Sequence, residues 1–325
     1  MTGSLRLASI DLGTNSTRLL VAECDGARTE TVDRRMVITR LGEGVDESGL
    51  LLPEAVERTI AALEGYRDEM APLEPTAVAA AATAVLRGCG NAGEFLDRAE
   101  RIIGTRPRVL SGEEEAMMSF LGAVSGLADE AAGGEGPVLV FDIGGGSTEL
   151  IVGDRAAAAA GAPTESLSMR SVDVGCVRMS ERFLKTDPPS PVSIGRMESH
   201  IVGKLRSTVA SLLGEKPALA VGLAGTVTTI SGIKLGLEEY DTDRIHHSRL
   251  TRDDVEDIFR RLASAGVDER KKVMGLEPGR ADVIVGGAAV LRAVMDLAGL
   301  DEILVSEKDI LDGLVIDLHR SLATT

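Results

Sequence analysis

The stretch FDIGGGSTELIVGD at residues 141–154 occurs a second time, as IDLGTNSTRLLVAE at residues 10–23. The two copies align without a gap at a constant offset of 131 residues, and six of the fourteen pairs are identical. A repeat with so long a period indicates two related halves, since solenoids and propellers repeat at much shorter intervals. We therefore expect two domains that face a shared cleft.

Each copy predicts a strand, a tight turn and a second strand, because an apolar run lies on both sides of a small polar segment. A dinucleotide-binding loop or a P-loop would instead lead into a helix. Gly144, Gly145 and Gly146 lead into a strand-length segment. Both of these nucleotide motifs are therefore disfavoured.

The chemistry of the turns points to an anion. Glycines without a Cβ let backbone N–H groups converge on one point, and the hydroxyls of Ser147 and Thr148 add donors. Asp11 and Asp142 would repel a bare phosphate, unless a cation such as Mg²⁺ lies between carboxylate and phosphate. One copy alone would fit a plain hairpin, but the duplication of the acid and the hydroxyls favours a functional site.

The two turns resemble the phosphate loops of the actin, Hsp70 and sugar-kinase superfamily. Their complete sequences resemble those of the Ppx/GppA family of exopolyphosphatases and guanosine pentaphosphate phosphohydrolases. Further segments follow in family order over nearly the whole chain: TAVLRGCGN at 83–91, LSGEEEA at 110–116, VGCVRMSERF at 174–183, GLAGTVTT at 222–229 and ERKKVMGLEPGRADVI at 269–284. The resemblance implies an α/β fold of two ribonuclease H-like, actin-like ATPase domains with a cleft between them. With the linker-like composition of residues 126–137, we expect domains at 1–124 and 125–307, and a helix at 308–325 that returns to the first domain.

A helix is predicted to begin at Ser111. Ser111 and Glu114 have the spacing of a capping box, and three consecutive acids suit the positive end of the helix dipole. The cap gives Glu114 a structural task and leaves Glu115 available. By the resemblance, the glutamate directly before the alanine of this motif is the catalytic base, and only Glu115 occupies that position.

The resemblance supplies the other candidate roles. Asp142 and Glu149 are expected to be catalytic with Glu115, and Asp11, Asp142 and Glu149 are expected to hold Mg²⁺ or water. The expected phosphate-binding residues are Gly13, Thr14, Asn15, Ser16, Arg18, Arg87, Gly144, Gly145, Gly146, Ser147, Thr148, Gly225 and Thr226. The two copies differ at the position of Arg18 and Glu149. This difference predicts that one hairpin contacts phosphate directly, while the other binds the metal ion and water.

The expected activity is that of an exopolyphosphatase, the Mg²⁺-dependent hydrolysis of terminal phosphate from inorganic polyphosphate. Removal of the 5′ phosphate from guanosine pentaphosphate is an alternative that uses the same residues. A kinase of the superfamily is disfavoured because the resemblance ties Glu115 to hydrolysis. A noncatalytic nucleotide-binding regulator remains a further alternative.

Composition limits the partners and the compartment. The net charge of −16 argues against nonspecific nucleic-acid binding and requires that a polyphosphate site be a confined positive cleft. No apolar run approaches the ~18 residues of a membrane span, no leader pattern is seen, and the three cysteines have no CxxC spacing. We therefore expect a cytoplasmic protein that does not contact a membrane.

Two basic segments have different expected roles. Arg34 and Arg35 are expected to face solvent rather than the cleft, whereas some of the densest basic cluster is expected to line the path of an extended anion. That cluster comprises Arg270, Lys271, Lys272 and Arg280.

The C-terminal segment departs from the family pattern. Leu311 and Asp312 stand before Gly313, where the family usually has an arginine, which puts one phosphate contact in doubt. The sequence also ends without the additional helical domain of longer relatives, so short polyphosphates are the expected substrates. The resemblance further implies a homodimer.

Overall fold

The computed structural model describes residues 4–127, 136–154, 167–214 and 216–323. The segment 155–166, predicted as an exposed connection, lies outside the described residues, as does most of the predicted linker at 126–137. The described residues form two compact units. The first unit ends at Gly126 and resumes at Lys308, and the second covers the described residues from Leu127 to Glu307.

The first unit is built on a five-stranded sheet with the order β3-β2-β1-β4-β5. Its strands are β1 (Leu5–Leu12), β2 (Ser16–Cys24), β3 (Thr29–Ile38), β4 (Ala77–Ala82) and β5 (Arg108–Val109). Its helices are α1 (Val45–Ser48), α2 (Pro53–Met70), α3 (Ala92–Ile103) and α4 (Gly112–Ser125), with 3-10 turns at Ala71–Leu73 and Ala84–Leu86. The strands β1, β2 and β3 form an antiparallel meander, and β4 and β5 run parallel to β1.

The second unit is built on a six-stranded sheet with the order β10-β11-β9-β6-β7-β8. Its strands are β6 (Pro137–Ile143), β7 (Thr148–Asp154), β8 (Ser168–Val172), β9 (Leu219–Leu223), β10 (Arg249–Thr251) and β11 (Glu302–Val305). Its helices are α5 (Cys176–Phe183), α6 (Pro191–Leu212), α7 (Ala224–Leu235), α8 (Thr242–Ile245), α9 (Arg252–Ser264), α10 (Val267–Arg270) and α11 (Ile284–Leu297), with a 3-10 turn at Pro278–Arg280. The final helix, α12 (Ile310–Ala323), belongs to the first unit.

The two sheets repeat one pairing scheme. In each sheet, the strand before the repeated turn pairs antiparallel with the strand after the turn. The same strand also pairs parallel with a later strand, which is β4 in the first unit and β9 in the second. Each meander then continues through a third antiparallel strand. The repeat seen in the sequence is therefore also a repeat of topology.

The strand β1 is buried on both faces of its sheet. Leu7 packs in one apolar cluster with α12, and Ile10 packs in another with α2 and α3. Helices on both faces explain why β1 reads as a continuous apolar run rather than an alternating one. The strand delivers Asp11 to its buried end, beside the turn.

Helix α12 packs closely against α4 through two glycines. A Cβ at Gly122 would lie 1.8 Å from the carbonyl oxygen of Asp309, and a Cβ at Gly313 would lie 1.9 Å from that of Met118. Only glycine allows this approach of the backbones. The close packing fixes the segment that begins α12 against the helix that carries Glu115.

Candidate functional site

The two predicted hairpins are present and are closed by equivalent hydrogen bonds. Gly13 N donates to Ser16 O at 3.1 Å, and Gly144 N donates to Ser147 O at 3.0 Å. A Cβ at Gly13 would lie 2.9 Å from that same Ser16 oxygen, so a side chain at this position would displace the turn. The prediction of a strand, a tight turn and a strand is confirmed in both copies.

Neighbouring backbone secures the carbonyl groups of both turns. In the first turn, Thr14 O accepts from Gly42 N at 2.9 Å and Asn15 O accepts from Arg40 N at 2.9 Å. In the second turn, the oxygens of Gly144 and Gly145 accept from the first residues of α5, at 2.9 to 3.1 Å. These bonds occupy the carbonyl groups, which would otherwise repel an anion at the turn.

The acid that precedes each turn faces a different residue on the next strand. Asp11 lies directly opposite Arg18 on β2, whereas Asp142 lies directly opposite Glu149 on β7. Both residues of the second pair are buried, and Glu149 accepts a hydrogen bond from Ser171 Oγ at 2.6 Å. The sequence difference between the two copies thus becomes an ion pair in one unit and a pair of carboxylates in the other.

The first turn contains buried polar atoms that have no hydrogen-bond partner among the described residues. They are Oδ1 of Asp11 and both side-chain heteroatoms, Oδ1 and Nδ2, of Asn15. Leaving a buried polar group unsatisfied costs about 1–3 kcal/mol, so such atoms at one turn indicate a place for a ligand. Burial raises the pKa of Asp11, and Arg18 opposes that rise.

Arg18 is held by two carboxylates, although it was predicted to contact phosphate. Its Nε and Nη2 atoms contact Asp11 Oδ2 at 3.0 and 2.7 Å, and its Nη1 atom donates to Asp309. Burial alone would raise the pKa of Asp309, but Arg18 and Arg34 outweigh it and hold that pKa below its usual value. A role of Arg18 toward phosphate stays a prediction.

Arg34 does not face solvent as predicted. It pairs with the buried Asp312 and lies 3.7 Å from Asp309, whereas Arg35 is more than half exposed. The structure also shows what Leu311 and Asp312, the residues at the place of the usual family arginine, do in this protein. Leu311 is buried in the apolar cluster beneath α12, and Asp312 holds Arg34.

Helix α4 begins with the predicted capping box, which is confirmed. Glu114 N donates to Ser111 Oγ at 3.1 Å, and Ser111 N donates to Glu114 Oε2 at 2.8 Å. That backbone donor lowers the pKa of Glu114. The cap therefore binds Glu114 to the helix end.

Glu115 is buried on the same helical turn and is paired with the predicted phosphate residue Arg87. Arg87 Nη1 donates to Glu115 Oε2 and to Leu110 O, each at 2.9 Å. Within the described residues only Nη1 of Arg87 is engaged, so its Nε and Nη2 groups remain for an anion. The two sequence candidates Glu115 and Arg87 are thus brought together.

A third turn joins β9 to α7 and carries Gly225 and Thr226. Ala224 adopts a left-handed backbone conformation there, with φ of 66°, which a non-glycine residue rarely adopts. The guanidinium of the buried Arg280 lies against this turn, because a Cβ at Gly225 would be 2.0 Å from Arg280 Nη1. Arg280 is a functional candidate that the sequence indicated only as one member of a basic cluster.

Two of the expected donors are engaged by the fold, and the prediction that the Thr148 hydroxyl donates to an anion needs correction. Thr148 Oγ1 donates to Val174 O at 2.6 Å, so its hydroxyl hydrogen supports the backbone instead of an anion. Arg270 is almost fully buried and donates to the carbonyl oxygens of Leu262 and Ala281, so it braces the fold, and the expectation that some of the basic cluster lines an anion path stays a prediction. The physical reason is the same in both cases, since a buried carbonyl must be satisfied.

The residues beside the two turns include carboxylates, which are the type of ligand that Mg²⁺ prefers. Among the described residues, no group of three or more His, Cys, Asp or Glu side chains is placed to hold a metal ion. Mg²⁺ in phosphate-processing sites usually has one or two carboxylates, several waters and the substrate phosphates as ligands. In the second unit the buried pair Asp142 and Glu149 supplies such carboxylates. In the first unit, Oδ1 of Asp11 is a buried carboxylate oxygen with no hydrogen-bond partner among the described residues.

Comparison with known proteins agrees with this geometry. The profile of the Ppx/GppA phosphatase family matches residues 20–322. Exopolyphosphatase 2 of Mycobacterium tuberculosis is 37% identical over 326 residues, which cover 96% of this chain and 98% of that protein. A bifunctional 3-dehydroquinate synthase/phosphatase of Fusobacterium nucleatum is 31% identical over 95% of this chain, in a match that covers 46% of its own length.

Solved structures show the same fold. The crystal structure of an exopolyphosphatase-like protein matches with a TM-score of 0.90 at 34% identity, covering 99% of this chain and 100% of that one. The Ppx/GppA family member of Aquifex aeolicus matches with a TM-score of 0.78 at 28% identity, covering 98% of this chain and 99% of that one. The predicted class, an α/β protein of two related units, is confirmed. The chain belongs to the Ppx/GppA phosphatase family.

A membrane-spanning helix is not found in the part of the chain that the structure describes.

Proposed function

We propose that the protein is an exopolyphosphatase, which releases terminal phosphate from inorganic polyphosphate by Mg²⁺-dependent hydrolysis. The observation that carries the proposal is the placement of Glu115, a buried carboxylate directly after the capping residue Glu114 and in contact with Arg87. A general base must be able to accept a proton from the attacking water. On this helical turn Glu114 closes the capping box, whereas Glu115 faces the phosphate candidate Arg87.

The reaction requires an in-line water, donors for the phosphoryl oxygens and neutralisation of charge. Water attacks the terminal phosphorus while its proton passes to the carboxylate of Glu115, and the bond from that phosphorus to the bridging oxygen breaks. The shortened chain leaves with the bridging oxygen. Arg87 orients Glu115 through Nη1 at 2.9 Å and offers its remaining N–H groups to the phosphate.

Several groups are available to bind phosphate. The first is the turn at Gly13, Thr14, Asn15 and Ser16, where the side-chain amide of Asn15 is buried and has no partner among the described residues. The second is the turn at Gly144 to Ser147. The third is the turn at Gly225 and Thr226, against which Arg280 supplies a buried positive charge in an acidic protein.

In the second unit the metal would be held by Asp142 and Glu149, and in the first unit Oδ1 of Asp11 is the oxygen available to a metal. When bound, Mg²⁺ neutralises charge on the phosphate oxygens and polarises the phosphorus that is attacked. Asp142 and Glu149 lie opposite each other and are buried, and this pairing of two carboxylates supports their assignment.

The substrate class is supported by the relative from M. tuberculosis, which is an exopolyphosphatase by name and matches over 96% of this chain. The resemblance to the Ppx/GppA family makes guanosine pentaphosphate the alternative substrate. Both substrates end in a phosphoanhydride and require the same groups at the point of cleavage.

The test is phosphate release, measured in parallel on short polyphosphate, long polyphosphate and guanosine pentaphosphate, each with Mg²⁺ and with a chelator. We expect Mg²⁺-dependent release from polyphosphate, with greater efficiency on short chains. Faster turnover of guanosine pentaphosphate would favour the alternative. Nucleotide-dependent polymerisation without any phosphate release would favour a noncatalytic regulator and contradict the proposal.

A further inference from the structure

Arg18 contacts Asp11 in an unusual way. An arginine commonly forms two parallel hydrogen bonds with a carboxylate and thereby satisfies both of its oxygens. Here Nε and Nη2 of Arg18 both contact Oδ2 of Asp11, at 3.0 and 2.7 Å, and Nη1 turns to Asp309. Oδ1 of Asp11 is left buried, without a hydrogen-bond partner among the described residues.

Asp309 is held firmly in the position from which it contacts Arg18. It is 3% exposed and directly precedes α12, where its Oδ1 atom accepts from Leu311 N at 3.0 Å. Its backbone lies against Gly122 of α4 so closely that no Cβ fits between them. A carboxylate fixed by backbone contacts can direct a long, flexible arginine side chain.

Asp309 lies in a group of charged residues of the first unit. Arg34 contacts Asp309 and continues to Asp312, which accepts from Thr29 Oγ1 at 2.6 Å. Lys308 adds a cation by donating to Thr29 O at 2.7 Å. Among the described residues, the group includes the carboxylates Asp11, Asp309 and Asp312 and the cations Arg18, Arg34 and Lys308.

We propose that Asp309 is a positioning residue that keeps Oδ1 of Asp11 open for Mg²⁺, by holding one arm of the Arg18 guanidinium away from it. This inference rests on the proposed function, because it assigns Asp11 to the metal. Without the charge of Asp309, Nη1 of Arg18 is released and the guanidinium turns to bind both oxygens of Asp11. The arginine then occupies the atom that the metal requires.

The decisive variant is Asp309→Asn. Asparagine is as good a helix-capping residue as aspartate, and its side-chain oxygen can still accept from Leu311 N. It removes the charge that attracts Arg18. The measurement is Mg²⁺ binding by titration calorimetry without substrate, accompanied by a melting curve. Because changes in residues that orient metal ligands typically weaken metal affinity about 10–100-fold, we expect a weakening of that order.

A matched control is Asp312→Asn, which removes the next carboxylate of the same group. Asp312 contacts Arg34 and Thr29 and accepts a hydrogen bond from Asp309 N at 3.3 Å, and among the described residues it makes no hydrogen bond to Arg18 or Asp11. We expect this variant to lower the melting temperature while leaving Mg²⁺ affinity within about threefold of the wild type, since it sits outside the metal's own surroundings.

A second test asks whether Asp309 acts through Arg18. In an Arg18→Met background no guanidinium is present to close on Asp11, so Asp309→Asn should cause no further loss of Mg²⁺ affinity. Asp309→Glu keeps the charge and is expected to retain most of the affinity that Asp309→Asn loses. If Asp309→Asn is unfolded at the assay temperature, Asp309→Ser, which also caps a helix but carries no charge, replaces it.

The proposal is overturned if Asp309→Asn binds Mg²⁺ as tightly as the wild type, or if its loss persists in full in the Arg18→Met background. Either result leaves the proposed function standing as long as the wild type releases phosphate from polyphosphate. Conversely, absence of phosphate release in the wild type would refute the proposed function, while the calorimetric result would still decide the role of Asp309.

Discussion

Replacing Glu115 by glutamine should separate the chemical step from binding. Glutamine is nearly isosteric with glutamate but cannot take a proton from the attacking water. General-base catalysis is worth about 10²–10⁴-fold in rate, and each factor of ten corresponds to about 1.4 kcal/mol of barrier. We therefore expect phosphate release to slow by that factor, equivalent to a barrier higher by about 3–5.5 kcal/mol.

The structure limits the damage that this substitution does elsewhere. The side-chain oxygen of glutamine can still accept from Arg87 Nη1, which lies 2.9 Å from Glu115 Oε2. The loss of the negative charge weakens that hydrogen bond, at a cost in stability of about 1–2 kcal/mol. Melting, substrate affinity and Mg²⁺ affinity should therefore stay near their wild-type values while turnover falls.

Glu114→Gln on the same helical turn is the matched control. The glutamine oxygen can still accept from Ser111 N, where Glu114 accepts at 2.8 Å, so the capping box is kept. The lost charge at the helix N-terminus costs about 0.3–1 kcal/mol, and activity should persist. An inactive Glu114→Gln enzyme, or normal turnover by Glu115→Gln, would show that the base has been assigned to the wrong residue.

Three other predictions concern metal, packing and pH. Asp142→Asn should weaken the Mg²⁺ dependence and the activity together while leaving the melting temperature nearly unchanged, and an unaltered Mg²⁺ titration of activity would remove Asp142 from the site. Gly313→Ala should destabilise the fold by about 1–3 kcal/mol or more, because its Cβ would lie 1.9 Å from Met118 O, whereas Gly65→Ala, on an exposed helical position with open space, should stabilise it by up to about 1 kcal/mol in urea unfolding. The pKa of Asp309 is lower in the folded state, so its stabilising contribution is present above about pH 4 and is lost as pH falls through the folded pKa. Unfolding free energies measured between pH 3 and pH 6 should therefore depend less on pH in Asp309→Asn than in the wild type, and equal slopes would contradict the assignment.

Local features of this protein could be predicted from the sequence because they depend on neighbouring residues. Each turn closes a hairpin between adjacent strands, so the repeat of Gly13 as Gly144 was enough to predict both. The capping box links two residues three positions apart, and it separates Glu114 from Glu115 without any tertiary contact. The family pattern was also visible, because the matching motifs follow the same order along the chain.

The partners of the charged side chains were decided only by the tertiary structure. Arg18 meets Asp309 across 291 positions of the chain, Arg34 meets Asp312 across 278, and Arg280 reaches the turn at Gly225. Coulomb attraction has little directional preference, and the chain contains 51 acidic residues, so the sequence offers many equivalent partners for each arginine. The acid that each arginine contacts is decided by the distant segments that folding brings together, through the sheets and through the close packing of α12 on α4. These contacts are a property of the folded chain alone.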